Sequence, residues 1–447
     1  MLLSVGALAP LAAAPPAHAA DAGLVVEALD ILRTRYVDPI NPAALLNGAV
    51  EGLRGTLSRA GVKAEIQTIP PSSNFWQAQT QFRTRFDAAV AAAEGRVAKT
   101  TLAYAAIQGM TGLLRDSHTG FVTPEQNRER QARQRGQAGF SGIGVVLLPR
   151  DGRLYVRDVI PGGPAAAAGM RPLDRIVRIN GVPVAGMAID QVANVIRGPV
   201  GTSVSVTVER GPGSAEETVA MARRPIQVPA IFQAKVLDAG VGYLQLYQFV
   251  NRTGGDFKAA VDRMLAAGMR ALVLDVRANH GGYLYELTAV LDTLLPAGKP
   301  VYRETTRNGL MRTVRTSDPP RLPSSMPVVV LLDQGSASAA ELLSAALQEH
   351  HRATLVGEKT SGAVEASVLI DLSDGSALSV TVQRLSTGLG KRLEGTGVSP
   401  DITVAQATSD LEKGRDTQLL RGIAVARQRL GLANARPRSL NEVSTPR

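Results

Sequence analysis

Apolar positions along the chain change their period twice. Between residues 24 and 115 they recur at helical spacing: Val25, Leu29, Leu32 and Tyr36 share one face, and Leu45, Ala49 and Leu53 another. Asn41-Pro42 reads as the cap and first turn of the second of these helices. Phe82, Phe86 and Val90 resume the pattern after the Pro70-Pro71 break, and a further helix is expected from about Thr100 to Leu114. A polar, arginine-rich stretch over 126–137 reads as a linker or an exposed helix end. The period then shortens to that of strands. Apolar alternation begins near Phe140, turns at Asp151-Gly152, and runs on through Leu154 to Val159, Asp174 to Ile179 and Val204 to Val208. Asn180-Gly181 is a hairpin signal, and 189–196 reads as a helix among the strands.

After Pro229 strands and helices alternate: 241–247, 271–277 and 328–332 read as strands, and 256–265, 283–295 and the segment from Glu341 as helices. That order predicts an α/β core with parallel strands, whose carboxyl ends gather the site. A strand at 353–358, a hairpin pairing 368–372 with 377–382, and one amphipathic helix from Ser409 to about Leu430 complete the expected elements. No internal repeat is visible.

Composition narrows the functional classes. The 447 residues, 45% apolar and 20% charged, are enough for two or three folded domains. With no cysteine, disulfides, thiolate zinc sites, lipoprotein attachment and cysteine catalysis are excluded. The net charge of +10 comes from scattered arginines rather than a basic run with aromatics, so nucleic acid is not the expected partner. Residues 1–19 are apolar and small and end in Ala17-His18-Ala19, which fits an export signal with its cleavage site, although the usual positive start is missing. No other stretch approaches a membrane span, so an exported protein, periplasmic or secreted, is expected.

The candidate chemistry centres on 327–350, PVVVLLDQGSASAAELLSAALQEH. A buried strand passes through a small-residue turn into a helix, which places Ser338 beside free amides at the positive end of the helix dipole. Ser338-Ala-Ala-Glu341 is equally the pattern of a helix capping box. The segment as a whole, Gly335-Ser336-Ala337-Ser338-Ala339-Ala340-Glu341, resembles the nucleophile motif of the carboxyl-terminal processing (tail-specific) serine peptidases, with Ser338 as nucleophile. ALVLDVRANHGGYL from Ala271 and GVSPDITV from Gly397 are similar to two further motifs of that family, and 137–225 resembles its circularly permuted PDZ domain.

The resemblance implies a parallel-sheet, crotonase/ClpP-like α/β peptidase core over 229–405, a helical amino-terminal region over 24–125, the inserted β-rich PDZ domain, and a helix and tail over 406–447. It implies an oxyanion hole at Gly281, Gly282 and Ala339, and capture of polypeptide C-termini by backbone amides around Gly142, Ile143 and Gly144. No metal or other cofactor is expected, and the oligomeric state is left open.

One part of the family pattern is missing. Family members carry a catalytic lysine and an orienting glutamine where this chain has Ala363 and Ser367. Lys359 matches the motif's first, non-catalytic lysine. A more distant branch that includes tricorn-type peptidases uses a histidine from the helical region and a glutamate before the closing motif. The corresponding candidates are His118 and Glu394, which with Ser338 would form a Ser-His-Glu arrangement. His280 is expected at the surface or facing the cleft, Glu365 on a solvent-facing strand or orienting His118, and His350 and His351 against the carbonyls of their own helix. Two readings follow: an exported serine endopeptidase, or a peptide-binding relative that has lost its base.

Overall fold

The computed structural model describes residues 20–134, 141–211 and 213–432. The expected export signal at 1–19 and the tail beyond 432, expected to be disordered, lie outside the described residues, as does part of the 126–140 stretch. The described residues divide into two compact units, those up to 130 with 367–382, and those of 131–366 with the ones from 383 onward.

The first unit is built on four helices, Ala22–Arg35, Pro42–Arg59, Phe75–Ala93 and Lys99–Leu113. Asn41 accepts from the amides of Ala43 and Ala44 at 2.9 and 3.2 Å, the cap that its place before Pro42 predicts. Asn74 and Gln77 form a reciprocal capping box on the third helix. Leu29, Leu46, Leu53, Phe82, Phe86 and Ile107 are buried in one core. The strand Gly120–Val122 pairs with residues 377–379 of the long strand Ala377–Thr387. This pairing fixes the loop before it: Ser379 Oγ donates to the His118 carbonyl at 2.6 Å, and the Thr381 amide to Thr119 Oγ1 at 3.0 Å. Of the two readings of the arginine-rich stretch, linker or helix end, the second holds over its described part: Pro124–Gln134 is helical.

In the second unit the central sheet runs in the order Ile231–Val236, Val241–Leu246, Ala271–Asp275, Val328–Leu332, Thr354–Gly357, Ile402–Thr403. The last five are mutually parallel, and Ile231–Val236 adds an antiparallel edge, so the sheet is mixed rather than all parallel. Its middle strands are apolar on both sides because both faces are covered. Leu272, Leu274, Val330 and Leu332 pack with the helices Thr253–Ala266, Leu284–Leu294 and Ala339–Glu349. The alternate residues Val273, Val329 and Leu331 face Leu419, Ile423 and Ala426 of the helix Thr417–Arg429. The single tail helix read from the sequence is two, Thr408–Glu412 and Thr417–Arg429, interrupted around Gly414.

The same unit holds a smaller antiparallel sheet, Val145–Arg150, Arg153–Val159, Arg175–Ile179, Ser203–Glu209 and Glu217–Ala222 in that spatial order, with the helix Ile189–Ile196. Val145–Arg150 is its edge. Asn180-Gly181 makes the predicted hairpin turn, with both residues at positive φ.

Candidate active site

Ser338 sits between the strand Val328–Leu332 and the helix Ala339–Glu349 in a conformation that an ordinary helix cap does not adopt. Its φ is +55° and ψ −120°. A non-glycine residue there costs on the order of 1–3 kcal/mol, which surrounding contacts must over-determine. Those contacts are on both sides of the turn. The Ser338 amide donates to the Ala363 carbonyl at 2.8 Å and to Glu341 Oε2 at 3.2 Å, while the Ala337 amide donates to the Asn279 carbonyl at 2.9 Å. The glutamate half of the expected capping box therefore forms, but the serine hydroxyl makes no side-chain cap hydrogen bond.

Glu341 does more than cap its helix. Fully buried, it also accepts from Thr360 Oγ1 and from the amides of Gly362 and Ala363 at 2.8 and 2.9 Å. One carboxylate thus ties the serine turn to the 360–363 loop. That loop brings Ala363 against Ser338, and a methyl group cannot take a proton.

The other wall is the turn after the strand Ala271–Asp275. Asn279, fully buried, accepts from the Gly281 amide at 2.8 Å and donates to the Leu246 carbonyl at 2.9 Å. Gly281 has φ +88°, and a Cβ built on it would lie 2.6 Å from the Ser338 Cβ and 2.8 Å from the Ala339 nitrogen. Only glycine fits. Among the described residues the amides of Gly282 and Ala339 have no acceptor, and Gly282 is exposed. Two unused amides on either side of a partly exposed serine can receive an oxyanion. Gly281→Ala is expected to lower kcat by on the order of 10²–10³-fold, because the side chain would displace the serine turn from those donors. Steady-state kinetics on a peptide substrate checks this; unchanged kcat would show that the close approach does not matter.

The other sequence candidates are distributed as follows. Glu394 Oε2 accepts from the amides of Val364 and Glu365, at 2.8 and 3.3 Å, directly after Ala363. His118, in the helical unit, has its Nδ1 2.9 Å from Ser117 Oγ and its amide 2.8 Å from Asp116 Oδ1. Lys359 is exposed. Glu365 is not on a solvent-facing strand: it is buried, accepts from the Leu385 amide at 2.8 Å and lies 3.1 Å from Arg392, and burial pushes its carboxyl up. His350 Nε2 reaches the Pro300 carbonyl at 2.8 Å, outside its own helix, because the helix packs beside the strand Pro300–Thr306. His280 is exposed and borders a cavity.

That cavity, about 890 Å³, is walled on one side by the edge strand Val145–Arg150 and the helix Ile189–Ile196, and on the other by core residues including His280 and Gly335. At its end Gly144 has φ +80°, the Ile143 carbonyl accepts from Ala165 and the Gly144 carbonyl from Ile160. Gly142 is held in a short pairing with Arg224.

Residues 240–404 match Peptidase family S41, and residues 155–210 match the PDZ domain family. A "Carboxy-terminal-processing protease" of Bartonella bacilliformis is 31% identical over 320 residues, covering 70% of this chain and 72% of that protein. The chain belongs to the S41 carboxy-terminal-processing proteases. A "Probable CtpA-like serine protease" of Staphylococcus aureus is 32% identical over 303 residues, 68% of this S41 chain but only 60% of the relative's length. Among solved structures the photosystem II D1 C-terminal processing protease superposes with a TM-score of 0.53 at 26% identity, covering 86% of this chain and 93% of that one. Mature CPAF, at 13% identity and TM-score 0.51, shares the fold, with 92% and 98% covered.

Proposed function

We propose that this S41 chain is an active serine endopeptidase that draws polypeptide C-termini into its PDZ groove and cleaves peptide bonds through a Ser338 acyl-enzyme. The observation that carries the reading is the strained Ser338 turn, held against Gly281 with the Gly282 and Ala339 amides unused. With Ala363 in place of an amine, the base is assigned to His118, with Glu394 as the carboxylate that orients the imidazole and stabilises its charged form. Ser338 Oγ attacks the scissile carbonyl carbon and its proton passes to His118. The amides carry the oxyanion, the proton goes on to the leaving amine, and water, activated by the same imidazole, then releases the acyl group.

The groove is assigned to C-termini because Ile143 and Gly144 lead into an unpaired strand edge facing a helix. Export through 1–19, a crotonase/ClpP-like ancestry of the core, and the division into a helical region, 24–125, PDZ domain, 137–225, and peptidase core, 229–405, complete the proposal. Among the described residues no helix is long and apolar enough to cross a membrane.

The second reading, a peptide-binding protein without turnover, is favoured by Ala363 alone. Cleavage of an unfolded protein by the wild type, His118→Ala and Lys359→Ala, followed from pH 5 to 9, separates the two. The expected result is turnover by the wild type, no turnover in His118→Ala, and full turnover in Lys359→Ala. Loss in Lys359→Ala with retention in His118→Ala would reverse the assignment of the base; no cleavage by the wild type, even with C-terminal peptides added, would favour the binding protein.

A further inference from the structure

The hairpin made by Pro300–Thr306 and Met311–Arg315 carries four arginines and one glutamate between its first and last residues. Pro300–Thr306 pairs on its other side with residues 383–387, which leaves Met311–Arg315 as the edge strand. Side chains alternate across such a sheet. Tyr302, Val314 and Leu385 point into the core. Arg303, Arg384 and Met311, with Arg315 beyond Val314, therefore point away from it. The remaining outward positions are Thr305, Thr313 and Ser386, so these strands present no carboxylate on that face. Glu304 is on the opposite side, paired with Arg312, and Glu365, which accepts from the Leu385 amide, is buried and engaged by Arg392.

Both ends of this cationic face are apolar and exposed. At the hairpin turn, where Gly309 takes φ +74°, Leu310 is 71% and Met311 59% exposed. At the other end Arg303 Nε donates to the Gly388 carbonyl at 3.0 Å, which draws the 388–390 loop to the outward side, and Leu389 in that loop is 60% exposed. Charges on an edge strand discourage pairing with a second sheet, which accounts for Arg312 and Arg315. It does not account for Arg303 on the middle strand, for Arg384 on the strand beyond it, or for large apolar side chains held in water beside them. An apolar protein surface would strand the arginines without partners, and a polar one would leave the apolar ends wet. Anionic headgroups lying over acyl chains match both.

We propose that this face docks on anionic lipid membranes: Arg303, Arg315 and Arg384 meet the headgroup phosphates, while Leu310, Met311 and Leu389 enter between the headgroups. The attachment is peripheral and reversible, because three inserted side chains and three arginines supply far less than a membrane-spanning helix does. It goes beyond the endopeptidase reading and does not depend on it, since a chain without turnover docks equally well. In an active enzyme, docking raises the effective concentration of the peptidase towards polypeptides held at the same surface.

The test floats full-length protein with vesicles of equal parts phosphatidylglycerol and phosphatidylcholine, or of phosphatidylcholine alone, at about 0.15 M salt, where exposed charges beyond a Debye length of about 8 Å are screened. The expected result is binding to the mixed vesicles only, weakened at least about tenfold by Arg315→Gln with Arg384→Gln, and likewise by Leu310→Ser with Met311→Ser. Arg153→Gln with Arg178→Gln removes the same charge from the PDZ sheet, where these residues pair with Glu412 and Glu216. That control is expected to leave binding within about twofold of wild type. No binding by the wild type, or equal weakening by the control, overturns the proposal. Because the chain has no cysteine, Leu310→Cys and Val182→Cys each carry a single environment-sensitive dye, the second on an exposed residue of the PDZ hairpin. The dye at 310 is expected to shift to the blue on the mixed vesicles and the dye at 182 to stay unchanged. A dye at 310 that does not respond refutes the proposal even where an arginine variant fails to fold. A wild-type dimer lost in Leu310→Ser with Met311→Ser, read by sedimentation velocity, would assign the face to a second copy of the chain. Equally tight binding of a DNA duplex, lost with the same arginines, would assign it to nucleic acid; either result overturns the lipid assignment.

Discussion

Ser338→Ala is expected to remove turnover by at least about 10⁴-fold while leaving the fold and the affinity for C-terminal peptides as they are. The substitution deletes one oxygen whose hydroxyl makes no side-chain cap hydrogen bond, and it keeps the backbone at φ +55°, a strain shared by serine and alanine. Every contact that over-determines the turn is made by its backbone or by Glu341, so no structural partner is lost. Single-turnover cleavage, with thermal unfolding and peptide anisotropy on the same samples, checks this. Retention of more than about one part in a hundred of the rate would mean that another residue attacks, because the oxyanion amides and binding alone leave only a small residual.

The largest loss of stability is expected from Arg277→Met. Arg277 is buried and bonds Asp275 at 2.9 and 2.7 Å through Nε and Nη2, and Asp416 at 2.8 Å through both Nη1 and Nη2. Tyr243 donates to Asp275 at 2.9 Å. Burial alone would raise the Asp275 carboxyl, but the Arg277 charge and its hydrogen bonds outweigh this and hold it below the usual carboxylate range. Removing the arginine leaves Asp275 charged in a dry site, at a cost of about 3–5 kcal/mol. The sign of the pH dependence follows. In the wild type the depressed pKa contributes stability above the unfolded value, near pH 4, which is lost as pH falls through the folded value. In the variant burial is no longer opposed by Arg277, the protonated form is favoured, and the deficit relative to wild type narrows below about pH 4. Urea unfolding at pH 7 and pH 3.5 tests it; a deficit equal at both values would assign the loss to packing instead.

The site was legible in the sequence where its chemistry is local. Strand, small-residue turn and helix around Ser338 are one contiguous segment, read from periodicity and turn residues, whereas the Gly281-Gly282 wall, beyond the end of the strand Ala271–Asp275, was placed by the resemblance of its motif to that of the family. The antiparallel edge Ile231–Val236 was not separable from a linker, because it is only half-buried and follows Pro229. Glu341 reads from sequence as a cap, since its bonds to 360–363 are made to a loop about twenty residues away. Arg277, Asp275 and Asp416 were invisible as a group: each is an ordinary charge in its own segment, and only the fold places the 139-residue-distant Asp416 on Arg277.

The claim that Ser338 is an activated nucleophile is tested most directly by treating the full-length protein with a serine-directed fluorophosphonate and locating the adduct by peptide mass spectrometry. The account predicts one phosphonyl group, on Ser338, formed with loss of fluoride, absent in Ser338→Ala and strongly slowed in His118→Ala. An unlabelled wild type under conditions that label an ordinary serine protease, or an adduct on any other residue, would contradict it.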